Sequence, residues 1–312
     1  MSNKCFLLLD VGGTFVKSVV ATLEGELLPD TETSVPIDSD GTRAEIEHSF
    51  ATVVANGNAK VVERGYELAG VGVAFPGPFD YNTGISYMTH KFAALEKVSV
   101  KELFHSFPEI GAEKPVVFMH DVTAAVLGEL KFGAAQGYKN VAVVTLGTGL
   151  GFSHTNNGEI QFSPLGSPSL SLYNRPYREG NLEDYASKRG FLRSYAEVRG
   201  EASSEDLTVA MIGGKCGEGD KEALQSFYNV GEILATELKP LLEELNIECL
   251  LFGGQISRSF AYFEPALRPL LDSVATLTHI SPMKNLSTAA PLGLLSKLRE
   301  QLGLYIELLE IK

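Results

Sequence analysis

The chain has 312 residues, 44% of them apolar, which is enough for two domains of ordinary size with separate cores. Lys and Arg number 26 against 39 Asp and Glu, a net charge of −13, and no Lys/Arg run or helix-turn-helix pattern precedes the first strand, so nucleic-acid binding is disfavoured. No stretch approaches the ~20 apolar residues of a membrane span, the first strand starts within a few residues of Met1, and Cys5, Cys216 and Cys249 form no CxxC pair; a cytoplasmic protein without disulfides, structural zinc or membrane contact is expected.

Cys5 to Leu9 is a short apolar run without polar alternation, the pattern of a buried strand. It leads into Asp10-Val11-Gly12-Gly13-Thr14. Paired glycines permit a turn whose consecutive N–H groups face one anion, because no Cβ blocks the approach. Asp10 stands where a carboxylate would meet, through water, a metal bound to phosphates, and Thr14 and Lys17 add a hydroxyl and a cation. The same residues also read as a plain hairpin into a strand over Val16 to Leu23. They are not a P-loop, which needs a glycine directly before the lysine and a helix after it.

Leu27 to Val35 is expected as a third strand, and Thr42 opens a long helix towards Leu68 with Glu45 completing a capping box. Gly70 to Phe75 returns as a strand and stops at Pro76-Gly77-Pro78-Phe79-Asp80, either a plain turn or a stiff loop in which Gly77 approaches a ligand. Val98 to Phe107 reads as a helix and Lys114 to Met119 as a buried strand, with His120-Asp121 at its end ahead of a helix from Val122 to Phe132. A carboxylate there can take the proton of a substrate hydroxyl as its oxygen attacks a phosphoryl group; Asp is equally a preferred helix N-cap. Glu129 reads as a solvated or packing-supporting side chain.

Asn140 to Leu146 is a second apolar strand, followed by Gly147-Thr148-Gly149-Leu150-Gly151, so strand and glycine-threonine turn occur twice. Two cradles suit a nucleotide's phosphates better than one. Asn156 to Gly180 is expected as a lid or long connection, and Asn181 to Ser187 opens a helix in which Glu183 either hydrogen-bonds a polyol or complements the helix dipole. Helices are expected over Ser203 to Met211, Asp220 to Leu245 and Leu286 to Leu302. The strand Cys249 to Phe252 ends in Gly253-Gly254, a pair that suits close approach of a flat nucleoside. The expected domains are 1–121 and 122–295, with about 296–312 packing back on the first.

The ordered set LLLDVGGTFVK, GVGVAFPGPFD, HDVTAAVLGE, TLGTGLGF, GNLEDYAS, LLFGGQIS and APLGLL resembles the ROK family of sugar kinases and related regulators, over nearly the whole chain. The resemblance implies an α/β, two-domain actin/hexokinase-like ATPase fold, with ribonuclease H-like domains on mixed sheets closing over ATP and a sugar. It implies transfer of the ATP γ-phosphoryl to a hydroxyl of a hexose or amino sugar, with magnesium, in a homodimer. Asp10 becomes the acid near magnesium, and Gly12, Gly13 and Thr14 the first phosphate loop. Gly147, Thr148 and Gly149 become the second loop, and Gly253 and Gly254 the turn near the adenosine. Asp121 becomes the catalytic base and Glu183 a sugar ligand, with Gly77 and His120 beside the sugar.

Three departures stand out. His120 replaces the usual Asn before Asp121. Pro164-Leu165-Gly166-Ser167 is the nearest match to the family's Glu-x-Gly-His sugar and zinc motif, and Asn181 stands where the last cysteine of its CxCGxxGCLE cluster would be. Zinc is therefore not expected, and the sugar site must be rebuilt, take another substrate or be impaired. His154 reads as incidental. A sugar- or nucleotide-binding sensor with weak catalysis is the alternative; a repressor is disfavoured because family repressors carry an added N-terminal DNA-binding segment.

Overall fold

Two five-stranded mixed sheets are wound in the same order, antiparallel on one side and parallel on the other. In the computed structural model, which describes residues 3–201 and 206–304, the described parts of 1–131, 162–167 and 288–312 form one compact unit and those of 132–161 and 168–287 a second.

In the first unit β1 (Lys4–Val11), β2 (Phe15–Thr22) and β3 (Thr33–Pro36) form an antiparallel meander. Helix α1 (Arg43–Glu63) crosses over to β4 (Glu67–Phe75), parallel to β1. A ribbon of β5 (Phe79–Asp80) and β6 (Ile85–Ser86) and helix α2 (Val100–His105) lead to β7 (Val116–His120), parallel to β4, and then to α3 (Asp121–Phe132). Cys5 to Leu9 are fully buried because helices cover both faces of the sheet. Two glycines make that packing close: a Cβ at Gly57 of α1 would run into Leu7, and one at Gly72 of β4 into Leu294 of the C-terminal helix, Ala289–Gln301.

The second unit repeats the pattern with β8 (Val141–Leu146), β9 (Leu150–Asn156) and β10 (Glu159–Ile160) as the meander. A ribbon of β11 (Pro176–Tyr177) and β12 (Gly180–Asn181) precedes α4 (Leu182–Ala186), α5 (Lys188–Arg199), α6 (Val209–Gly217) and α7 (Lys221–Glu244). Strand β13 (Cys249–Gly253) then pairs parallel with β8, and after α8 (Phe260–Leu271) β14 (His279–Pro282) pairs parallel with β13. Phe191, Phe227, Phe252 and Phe263 fill its core.

Several expectations from sequence are corrected. The third strand is only Thr33–Pro36, because Asp30, after Pro29, takes a left-handed φ of 58° that breaks the run from Leu27. The helix from Thr42 has its capping box but stops at Glu63, where Gly65 at φ 72° turns the chain into β4 well before Leu68. The helix expected over Val98 to Phe107 is six residues, starting after the Ser99 cap. The stretch from Asn156 to Gly180 carries β10 and the strand β11 rather than loop alone. Helix α6 lies at Val209–Gly217 behind a Thr208 cap, not over Ser203 to Met211; residues 203–205 lie outside the described residues, as do 305–312 at the end of the chain.

Helix α3 packs in the first unit, which extends through Lys131 and resumes at Thr288. Gly128 and Gly293 explain why: a Cβ on either would collide with the backbone of Ala289 or Ala124, so α3 and the C-terminal helix meet at backbone distance. Glu129, on that helix, is fully buried rather than solvated.

Candidate active site

In the first unit the β1–β2 turn places Asp10 opposite Lys17 in register. The Gly12 N–H donates to the Phe15 carbonyl at 2.9 Å and closes the turn, which leaves the N–H groups of Gly13 and Thr14 with no internal acceptor among the described residues. A Cβ at Gly13 would meet only Ser39 Oγ at 3.6 Å and the Lys91 side chain at 3.9 Å. The space outside Gly13 is therefore open and edged by a cation. Lys91 is a residue that no sequence motif signals. It is placed by Phe92, which is fully buried, has φ 52° and donates its N–H to the Ser39 carbonyl at 2.7 Å.

Asp121 is the first residue of α3. Its Oδ1 accepts from the Val122 N–H at 2.6 Å and lies 2.7 Å from His120 Nδ1, so it does not bond the second or third helical N–H as an N-cap would. Oδ2 has no partner among the described residues. The Asp121 side chain is 53% exposed. Burial opposes its ionisation, but the His120 imidazole at 2.7 Å, the Val122 N–H and the Lys91 charge together hold its carboxyl below the usual range. Asp10 goes the other way: burial, then the charge of Asp121, raise its carboxyl to about 6, against the smaller pull of Lys17.

Tyr81 is a second residue that sequence reasoning missed. Its ring lies 5.9 Å from that of His120, its buried hydroxyl donates to the Phe75 carbonyl at 2.8 Å, and burial, followed by the Asp121 charge, raises its pKa well above that of a free phenol. Gly77 backs onto this pair, with a Cβ there 3.4 Å from the Tyr81 hydroxyl and 3.7 Å from the His120 ring. The Tyr81 N–H donates to the Leu165 carbonyl at 2.9 Å, and Asn82 Nδ2 to that of Pro164 at 3.2 Å. Pro164 to Ser167 thus lie beside Tyr81 although they lack the expected Glu and His.

In the second unit the β8–β9 turn is held by its neighbours. Gly147 N–H donates to the Gly149 carbonyl at 3.1 Å, and the Lys188 N–H donates to the Gly147 carbonyl at 2.8 Å. A Cβ at Gly147 would meet nothing within 4 Å, and Thr148 is exposed. Glu183 does not project freely: its Oε2 accepts the Leu150 N–H at 2.9 Å and its Oε1 accepts from Arg189 Nη2 at 2.8 Å. A carboxylate carries about four acceptor positions, so two remain. Gly254, at φ 80°, lets the end of β13 pass the backbone of Leu146 where any Cβ would collide. His154 is no loop residue; it lies in β9, 5% exposed, stacked on Phe152, and burial lowers its pKa.

The structure therefore brings Asp10, Gly12, Gly13, Thr14, Lys17, Gly77, His120 and Asp121 into the first unit, and Gly147, Thr148, Gly149, Glu183, Gly253 and Gly254 into the second. Among the described residues no three His, Cys, Asp or Glu side chains converge as a metal cluster, and no helix is long and apolar enough to cross a membrane.

Comparison with known proteins gives the same outline. A model of the ROK family matches residues 6–167 and 177–294. A glucokinase of Halalkalibacterium halodurans is 25% identical over 284 residues, 83% of this chain and 82% of that protein. The xylose repressor of Bacillus spizizenii is 24% identical over 269 residues, 80% of this chain but 64% of the repressor. The crystal structure of a ROK family glucokinase from Streptomyces griseus, in complex with glucose and AMPPNP, superposes with a TM-score of 0.77 at 20% identity, covering 95% of this chain and 99% of that one. The fold is the mixed-sheet, actin/hexokinase-like one, and with its sheets and glycine turns inside the matched segments this chain belongs to the ROK family.

Proposed function

We propose that the protein is a magnesium-dependent kinase that moves the γ-phosphoryl group of ATP to a hydroxyl of a hexose or amino sugar. The observation that carries this reading is Asp121 at the head of α3, ionised, with one oxygen fixed by His120 and Val122 and the other free to accept a proton. A protein that only binds a sugar needs no such base. Asp121 takes the proton of the attacking hydroxyl, and the N–H groups of Gly13 and Thr14, with Lys91 and Lys17, hold the phosphates and offset their charge.

Asp10 fits a magnesium ion on physical grounds. It is a carboxylate whose burial and like-charged neighbour disfavour ionisation, which a cation would relieve. Mg²⁺ keeps several waters and binds chiefly through one or two carboxylates and the substrate's phosphates, so a single carboxylate such as Asp10 can hold it. Bound there, magnesium would supply charge neutralisation at the transferred phosphoryl group. In the second unit the Gly147 to Gly149 turn serves as a further phosphate loop, the nucleoside lies beside the turn at Gly253 and Gly254, whose missing Cβ positions are taken by Met283 and Leu146, and Glu183 uses its two remaining acceptor positions for sugar hydroxyls. His120 and Tyr81 stand in for the missing Glu and His contacts.

The test is magnesium-dependent ADP release from ATP against hexoses, amino sugars and their N-acetyl forms, with Asp121→Asn as control. One sugar should stimulate turnover, and the variant should lose about 10²- to 10⁴-fold. A second reading, a sensor with weak catalysis, is favoured by the double engagement of Glu183 and by Pro164 and Ser167. Silence across the panel, with sugar or nucleotide still raising the melting temperature, would select it.

A further inference from the structure

The second unit holds a cleft that the kinase reading does not use. It has a volume of about 490 Å³, within the range of small-molecule sites, and lies where the β11–β12 ribbon meets α5 and α7. Two of its side chains, Arg178 and Arg193, place their guanidiniums over the ring of Tyr185, at 5.4 and 4.5 Å from its centroid. Arg178 also lies 5.2 Å from the ring of Tyr177, which stands edge-on to Tyr185 at 5.1 Å.

Two features call for a ligand. Like charges gathered on one ring repel, yet among the described residues neither guanidinium has a carboxylate within ion-pair distance. Glu179 has its Oε2 engaged by the Tyr185 hydroxyl at 2.9 Å, which lowers its carboxyl, and lies near enough to both arginines for their charges to help lower it. By contrast Arg43, Arg64, Arg175, Arg189, Arg199 and Arg268 each have an acid within ion-pair distance. Second, Arg178 occupies the first position of the two-residue turn between Tyr177 and Gly180 at φ 48°, a conformation glycine or asparagine adopts at lower cost. The strained position carries a long cation aimed at the same ring as its neighbour, which is how strain collects at binding sites.

The opposite wall, on α7, is uncharged or acidic: Asn229, Thr236 and Glu232, which accept or donate to hydroxyls. One wall thus suits a phosphoryl group, which guanidiniums grip through paired N–H donors, and the other a polyol. We propose that this cleft binds a phosphate monoester of a sugar or polyol, the phosphoryl group on Arg178 and Arg193 and the hydroxyls on α7. Tyr185 is two residues from Glu183 on α4, so occupancy bears directly on the helix that presents the candidate sugar ligand.

The experiment is equilibrium dialysis of the full chain with labelled glucose 6-phosphate, with inorganic phosphate and unlabelled glucose as competitors. Binding should weaken about tenfold or more in Arg178→Gln/Arg193→Gln, and likewise in Thr236→Glu, which puts a carboxylate into the cleft without touching the ribbon. Lys91→Met, beside the phosphate turn of the first unit, should leave it unchanged. Glucose should fail to compete, and inorganic phosphate should compete only weakly. Absence of binding overturns the proposal, as does loss in Lys91→Met with none in the cleft variants, or inorganic phosphate competing as well as the ester.

Discussion

The two glycine turns have the same surroundings in topology and opposite ones in chemistry. Each joins the central strand of a sheet to its antiparallel neighbour, and each central strand has a parallel partner on its other side. The turn in the first unit is ringed by charge, with Asp10, Lys17, Lys91 and Asp121 around it. The turn in the second is ringed by backbone and by Glu183, and is stitched to the start of α5. One scaffold thus occurs twice, and on the proposed reading the first copy reacts and the second holds. The charged turn should accordingly be the place where substitutions cost rate, and the stitched turn the place where they cost stability or affinity.

Asp10→Asn tests the charged turn most severely. Turnover should fall about a thousandfold, because the neutral amide cannot offset a cation's charge, while the melting temperature at neutral pH should rise. The sign of the second effect follows from the raised carboxyl. Its pKa in the fold is about 6 against an ordinary 3.8, so the unfolded chain ionises first, and stability contributed at this position falls as pH climbs from about 4 to 6 and is level above that. Thermal melts of both proteins across pH 4 to 8 check it. A variant that melts lower than the wild type at pH 8 would show that Asp10 is structurally satisfied rather than held for a cation.

Gly254→Ala is the severe test of the stitched side. The position combines φ 80° with a Cβ that would collide with Leu146, so the variant should lose about 2–4 kcal/mol of stability, read by urea unfolding. Lys91→Met returns to the charged turn with a smaller effect. Removing one cation near the transferred phosphoryl group should lower kcat about 10- to 100-fold with little change in the sugar KM. An unchanged kcat would make Lys91 a bystander.

The contrast between these residues shows what was legible beforehand. Asp10, the three glycine pairs and Asp121 could be read because apolar runs ending in breakers report strands and turns through local chemistry alone. Lys91 and Tyr81 could not, because each reaches the site from a ribbon or loop whose path is set by a long-range contact: the Phe92 N–H on the Ser39 carbonyl, the Tyr81 N–H on that of Leu165. Glu129 could be read only as either solvated or packing-supporting, and its full burial decides between the two. The short third strand and the early end of α1 turned on single residues of positive φ, Asp30 and Gly65, which composition does not reveal. The division of the chain depended on Gly128 and Gly293, glycines inside helices whose purpose appears only when the helix opposite is in place.

That distinction gives the gentlest test. Gly128 and Gly254 have a structural reason to be glycine; Gly147 has none, since a Cβ there meets nothing and its backbone is not in the left-handed region. Gly13 is similar, with only ordinary contacts to Ser39 and Lys91. Alanine at either position should leave stability within about 0.5 kcal/mol of the wild type. If these glycines are there to let phosphates approach the backbone, the same variants should raise the ATP KM about tenfold and shrink the melting shift given by AMPPNP. Gly147→Ala and Gly13→Ala proteins that melt and bind AMPPNP as the wild type does would mean that the two turns are hairpins and nothing more.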